Sequence, residues 1–286
     1  MDILTSVAPT QSLTASWRRE GLRVGFVPTM GYLHAGHESL IRAAAAENDR
    51  VVVSIFVNPT QFGPNEDLEA YPRDWERDRG ICRSLGVSLI FAPDAGEMYP
   101  GGFATKVGVR GLSEVLCGRS RPIHFDGVCL VCLKLFNVVG PDAAYFGLKD
   151  AQQYFVLARM VKDLNLNLTL RPCPIVREPD GLAMSSRNAY LSGPERKAAL
   201  ILSSALNKAR EAAEGGEREA SRLTGLVSEV VATEPLARLE YAQAVSTDDL
   251  SEVSEISGEV LVAAAVWVGK TRLIDNFILP PVGGAG

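Results

Sequence analysis

Three absences narrow the field before any motif is considered. No apolar run approaches the roughly 18 to 20 residues that a membrane-spanning helix needs; the longest, Val260–Val268, is the length of a strand. Residues 1–9 lack the basic start and following apolar stretch of a secretory signal, so a cytoplasmic protein is expected. Basic residues are not in surplus. Lys and Arg number 29 against 34 Asp and Glu, for a net charge of −5, which argues against a bulk nucleic-acid binder but leaves room for a local cationic pocket.

Cysteine is sparse and odd in number, five in all, so a framework of paired disulfides is not expected and reduced thiols are the simplest state. Cys129 and Cys132 form a CxxC inside an apolar run with no second pair. Buried core thiols are the expected reading there, with redox or zinc chemistry as the alternative. What the chain has in quantity is core material, 47% hydrophobic against 22% charged over 286 residues. At roughly 150 residues per domain that is enough for two domains.

The first half alternates short β-rich runs with helical ones. Strands are expected at residues 23–29, 51–57, 87–91, 143–146 and 168–171, and helices at 38–47, 73–85, 125–139 and 151–164. That alternation predicts a Rossmann-like, doubly wound parallel α/β sheet. The second half predicts helices at 194–214 and 218–233, then strands at 239–245, 259–268 and 271–279. Helices followed by strands point to a smaller α+β domain, with the division placed at residues 1–175 and 176–286. The tail, residues 280–286, is small and flexible in character.

Histidine is scarce, yet two of the three fall in Met30-Gly31-Tyr32-Leu33-His34-Ala35-Gly36-His37, between a predicted strand and a predicted helix. Ligands of open parallel sheets bind beyond the carboxyl ends of the strands, and a helix N-terminus suits phosphate. Histidines three apart share one face of the first turn, where two imidazoles can stabilise charge on a phosphoryl group and a departing pyrophosphate. The competing structural reading is a turn cap plus a core histidine. A metal site is weakly supported, since no third His or Cys has ligand spacing. Asn58 and Gln61 follow the second predicted strand, where an Asn-Pro turn is the plain alternative. Lys149 and Asp150 follow a later strand, with Gln153 one turn on; a solvated helix start is equally compatible. Ser185, Ser186 and Arg187 lie in a small-residue loop suited to triphosphate contacts, and Arg119, Arg121 and His124 add positive charge.

The segments PTMGYLHAGHESL, SIFVNPTQF, AYPRD, SRPIHFDGV, FGLKDAQQ and VREPDGLAMSSRNAYLS occur in this order. Together they resemble the pantoate–β-alanine ligase (pantothenate synthetase) family of the HxGH nucleotidyltransferase superfamily. The similarity is close over residues 23–192 and looser beyond, although VGKTRLIDN is also similar. It implies an enzyme that condenses pantoate with β-alanine at the expense of ATP through a pantoyl adenylate, with Mg2+ accompanying the ATP and a homodimeric assembly. It implies catalytic duty for His37, His34, Lys149, Ser185, Ser186 and Arg187. ATP contacts would fall to Met30, Gly31, Tyr32, Leu33, His34, Ala35, Gly36, His37, Gly147, Leu148, Lys149, Asp150, Val176, Met184, Ser185, Ser186 and Arg187. Gln61 and Gln153, with Asn58 nearby, would hold pantoate, and Asp78 would stand near the triphosphate, as a magnesium ligand or a ribose contact. Pro28, Val131 and Phe146 are candidates for the apolar wall against pantoate's methyls. Cys117 stands where relatives often carry glutamate, and Leu148 where glutamate or glutamine is frequent. From the motifs alone, a plain nucleotidyltransferase and a non-catalytic nucleotide-binding module remain alternatives. Neither a nucleic acid nor a membrane is expected as a partner.

Overall fold

A computed structural model describes residues 1–64 and 66–281. In chain order the elements are β1 (Asp2–Leu4), α1 (Val7–Arg19), β2 (Val24–Thr29), α2 (Ala35–Glu47), β3 (Arg50–Ile55), α3 (Trp75–Ser84), β4 (Leu89–Phe91), α4 (Ala95–Met98), α5 (Cys117–Ser120), α6 (His124–Val139), β5 (Ala143–Gly147), α7 (Ala151–Asp163) and β6 (Thr169–Cys173). There follow α8 (Gly193–Ala198), α9 (Leu200–Glu214), α10 (Ala220–Val231), β7 (Ala237–Ser246), β8 (Val260–Val268) and β9 (Thr271–Leu279). The first six strands form one parallel sheet in the order β1-β4-β3-β2-β5-β6. The last three form an antiparallel sheet, β7-β8-β9. This is the α/β architecture expected, with a small second sheet. No helix among the described residues is long and apolar enough to cross a membrane.

Strand order reverses between β2 and β5, and this switch point places the ends of both strands over one crevice. Thr29 leads into the first histidine segment and Gly147 into Lys149. The crevice is closed from the side by α6, whose Gly127 touches the 3-10 turn at Pro59–Gln61: a Cβ there would sit 2.4 Å from the Thr60 carbonyl oxygen. Only glycine admits this approach.

β8 explains why the longest apolar run occurs where it does. Its residues alternate between two buried faces. Val260, Val262, Ala264, Val266 and Val268 pack with Leu202, Leu206, Leu223 and Val227 of α9 and α10. Leu261 and Ala263 join the core that contains Phe125, Val128 and Phe146 of the first sheet's layer. A strand buried on both faces reads as a continuous hydrophobic segment. The two halves of the chain therefore share a core.

The structure adds four elements that the sequence pattern did not predict, β1, α1 and the short α4 and α5. The inner face of α1 carries Thr10, Thr14 and Trp17, and its two threonines satisfy their hydroxyls on the carbonyls of Ser6 and Gln11. A buried face built from threonine gives little hydrophobic periodicity. The helix expected at 194–214 is interrupted at Ala199, and the predicted strand at 87–91 starts two residues later, at Leu89. Of the tail expectation, residues 282–286 lie outside the described residues.

Candidate active site

The site begins with the backbone of residues 30–37. Gly31 (φ 85°) and Tyr32 (φ 53°) are both left-handed, which folds the chain sharply after β2 and turns two successive amides toward α3. Asp78 receives them: the N–H groups of Tyr32 and Leu33 donate to its carboxylate at 2.8 and 2.7 Å. A Cβ on Gly31 would stand 3.0 Å from that carboxylate and from Ile55, so the position calls for glycine on both conformational and steric grounds. Burial, the largest influence, pushes the Asp78 carboxyl upward against these hydrogen bonds.

α2 then starts with His34 as N-cap. The Gly36 N–H donates to His34 Nδ1 (3.2 Å) and the His34 N–H to His37 Nδ1 (3.4 Å), the rings lying 4.1 Å apart. Burial lowers His37 to about 3, helped by His34, and lowers His34 to about 4, helped by Lys149. Both rings are therefore neutral near pH 7. With each Nδ1 accepting a hydrogen bond, the single ring proton resides on Nε2. The arrangement gives two N–H donors at a helix N-terminus, whose dipole adds to their pull on an anion.

Both rings line a cavity of about 230 Å³ at the switch point. Lys149, Met184, Ser185, Ser186 and Arg187 line the same cavity. One wall is apolar, with Pro28, Phe56, Val128, Val131, Leu135 and Phe146, and is edged by the amides of Gln61 and Gln153. A second cavity of about 370 Å³ lies toward the second sheet and shares Arg121, Lys149, Asp150, Ser185 and Arg187 with the first. The field is cationic. Burial works to raise the Asp150 carboxyl, yet Lys149, Arg187, His124 and Arg121 together hold it below its ordinary value.

The expected residues separate into three groups. Met30, His34, Gly36, His37, Gln61, Gly147, Lys149, Asp150, Gln153, Val176 and residues 184–187 line the cavity. Asn58 also reaches it, but its side chain is spent on support. It is nearly fully buried, donates to Gln61 Oε1 (3.0 Å) and the Gly127 carbonyl (3.1 Å), and accepts from Tyr99 (2.8 Å). Gly31, Tyr32, Leu33, Ala35 and Leu148 do not line it. Leu33 is fully buried in the core beneath the sheet, and Ala35 faces solvent. Asp78 is placed behind the loop rather than in the cavity, and its oxygens are already committed to backbone amides. That corrects the magnesium role expected for it. Among the described residues no group of three or more His, Cys, Asp and Glu has the arrangement of a metal site; a magnesium ion carried mainly by phosphate oxygens and water needs no such cage.

Several neighbours were not singled out from sequence. Asp67 receives Arg187 in a two-pronged pair, from Nε at 3.0 Å and Nη2 at 2.8 Å. The hydroxyls of Tyr71 and Ser186 lie 3.1 Å apart. Glu66 pairs through both oxygens with Arg121, one of the cations expected from sequence, as is His124, whose Nδ1 meets the Gln61 carbonyl at 3.0 Å. Only Tyr71 had a signal, its place in the AYPRD segment. Arg119, by contrast, is an exposed partner of Glu252. Cys129 and Cys132 are buried and free, as are the other cysteines, and burial pushes Cys129 up to about 12. Cys117 contacts the Tyr241 hydroxyl (3.2 Å) and Arg272, whose carboxylate partner is Glu240.

A family model described as pantoate–β-alanine ligase matches residues 2–278. A pantothenate synthetase of Caldicellulosiruptor saccharolyticus is 51% identical over 98% of this chain and 99% of its own length. One of Carboxydothermus hydrogenoformans is 54% identical with the same coverage. The crystal structure of pantothenate synthetase from Thermus thermophilus superposes with a TM-score of 0.93 at 45% identity, covering 98% of this chain and 100% of that one. A pantoate–β-alanine ligase from Francisella tularensis, solved with β-γ ATP and β-alanine, gives 0.79 at 35% identity over 97% of each chain. With its sheet order, its paired imidazoles and its full-length match, the chain belongs to the pantoate–β-alanine ligase family and is a ligase.

Proposed function

We propose that the enzyme joins pantoate to β-alanine in two steps within the histidine-lined cavity. A pantoate carboxylate oxygen attacks the α-phosphorus of ATP; the bond to the bridging oxygen breaks, giving pantoyl adenylate and pyrophosphate. The β-alanine amine then attacks the acyl carbon, loses a proton, and expels AMP to leave pantothenate. The first step converts oxide, a leaving group no amine can expel, into AMP.

The observation that carries this reading is the neutral His34–His37 pair at a helix N-terminus, sharing with Lys149 and Arg187 a cavity with an amide-edged apolar wall. The two Nε2–H donors suit the oxygens around the α- and β-phosphorus, where charge grows in the transition state. Lys149, Ser185, Ser186 and Arg187 would grip the outer phosphates. Gly147, Asp150 and Val176 would flank adenosine, with Met30 and Met184 against the nucleotide. Gln61, oriented by Asn58, and Gln153 would hold pantoate's polar groups, with Pro28, Val131 and Phe146 against its methyls. Such a wall also excludes water, to which a mixed anhydride is vulnerable. Magnesium would arrive with the nucleotide, held by phosphate oxygens and water rather than by a carboxylate cage. A cytoplasmic homodimer, with residues 1–175 holding the substrates and 176–286 forming a lid, completes the proposal.

The test is exchange of labelled pyrophosphate into ATP by the purified enzyme, with pantoate present and β-alanine withheld. Exchange that requires pantoate is expected. Its absence with folded protein would refute the adenylate route.

A further inference from the structure

Two adjacent residues near the end of the chain reach out of the second sheet toward both cationic loops of the site. Asp275 and Asn276 lie on β9, opposite Ala264 and Ala263 of β8. They are almost completely buried, at 2% and 5% exposure, although neither is an ordinary core residue. Each spends its side chain on a different segment. The Asn276 amide donates to two carbonyls at once, Leu148 at 2.9 Å and Lys149 at 3.1 Å. These belong to the 3-10 turn Leu148–Asp150, which carries the Lys149 side chain into both cavities. Asp275 takes Arg177 in a two-pronged pair at 2.6 and 3.0 Å. Arg177 also donates to the Gly181 carbonyl and bridges to Ala183, and the Met184 N–H closes onto Val176. That tie forms the base of the small hairpin leading directly into residues 184–187.

We infer that Asp275 and Asn276 are positioning residues through which the second sheet sets the two loops carrying Lys149 and Arg187. Neither needs to touch substrate. Asn276 fixes the backbone on which Lys149 stands, and Asp275 fixes the base of the loop that ends in Arg187. The two segments come from separate parts of the chain, and their spacing must suit one triphosphate. Adjacent residues of one strand are a rigid ruler for that spacing. Asn at 276 is required chemically: it is the donor for two carbonyls, a task that aspartate, of the same shape, cannot perform.

The inference rests on the proposed adenylation step, and the experiment separates the two. Pantoate-dependent pyrophosphate exchange is measured for the wild type, Asn276→Ala, Asn276→Asp, Lys149→Ala and the double variant Lys149→Ala/Asn276→Ala, with thermal melts as a folding control. Failure of the wild type to exchange would strike the proposed reaction, not the ruler. Given wild-type exchange, Asn276→Ala is expected to lower kcat about ten- to a hundredfold, the scale of a small misplacement of a catalytic group, with the pantoate KM nearly unchanged. Asn276→Asp is expected to be no better than Asn276→Ala. In the Lys149→Ala background the Asn276→Ala change should cost less than about twofold, because its effect passes through that lysine. Undiminished kcat in Asn276→Ala, or an equal loss with and without Lys149, would overturn the inference. Should either Asn276 variant not fold, Asn276→Ser, which keeps a donor hydroxyl, is measured in the same cycle and judged by the same coupling.

Discussion

The loop that carries His34 and His37 is assembled almost entirely by its own neighbourhood. Two left-handed residues bend it, its own amides orient both rings, and one carboxylate, Asp78, seats it. The loop that carries Ser185, Ser186 and Arg187 lines the same cavity but is held from a distance. Asp67 lies 120 residues away from the arginine it grips, Tyr71 meets Ser186, and Asp275 ties the preceding hairpin. One half of the site is thus preformed. The other holds its principal cation in an internal ion pair that a triphosphate must share or displace. The contrast suggests a division of labour in which the imidazoles set the geometry of the reacting bond and the second loop follows the phosphates.

Experiments that break this contrast can be ranked by size. The largest effect is expected at His37. Replacement by Ala should lower kcat for pyrophosphate exchange by about 10²- to 10³-fold, the loss typical of one preorganised donor; a change under about threefold would remove His37 from the reaction. Next comes Asp78. Asp78→Ala leaves the buried N–H groups of Tyr32 and Leu33 without acceptors, at about 3 kcal/mol of stability, read by denaturant unfolding. The preformed loop should also lose activity in proportion to its disorder. For the distant loop, Asp67→Ala releases Arg187 rather than removing it, so a change of about tenfold or less in the ATP KM is expected. If Asp67→Ala proved as damaging as His37→Ala, the two halves would not differ as described.

The sequence made the first loop legible because its bend and both rings lie within residues 30–37, although the carboxylate that seats it, Asp78, is 45 residues from Leu33. What it misjudged there was direction. Leu33 and Ala35 belong to the motif, yet one enters the core and the other faces solvent. The parallel sheet was equally legible, since β2, β3 and β5 are short apolar runs between turns. By contrast, α1 hid its buried face in Thr10 and Thr14. Asp67, Asp275 and Asn276 could not be assigned from local pattern, because their partners stand 98 to 128 residues away. A carboxylate or amide buried against a distant loop has no periodicity to announce it.

A titration sharpens the same comparison through pH. Burial holds His34, His37 and His124 at about 4, 3 and 4 in the folded protein, against about 6.5 in an unfolded chain. Below about pH 6.5 the unfolded state therefore takes up protons that the folded state refuses. Their effect on stability is absent above that value, and stability falls progressively as the pH drops toward the folded values. Melting temperature should decline between about pH 7 and pH 5. Converting both His34 and His37 to Asn should flatten the decline, leaving the share of His124. An unaltered slope would mean that the rings are not held neutral by burial.

The most direct measurement follows the oxygen atom. Pantoate labelled with ¹⁸O in its carboxylate is given to the enzyme with ATP and β-alanine, and the nucleotide and phosphate products are weighed by mass spectrometry. Attack at the α-phosphorus predicts one labelled oxygen in each AMP and none in pyrophosphate. Label appearing in inorganic phosphate alongside ADP, with no AMP formed, would contradict the account, because the carboxylate would then have been activated at the far end of the nucleotide from the two imidazoles.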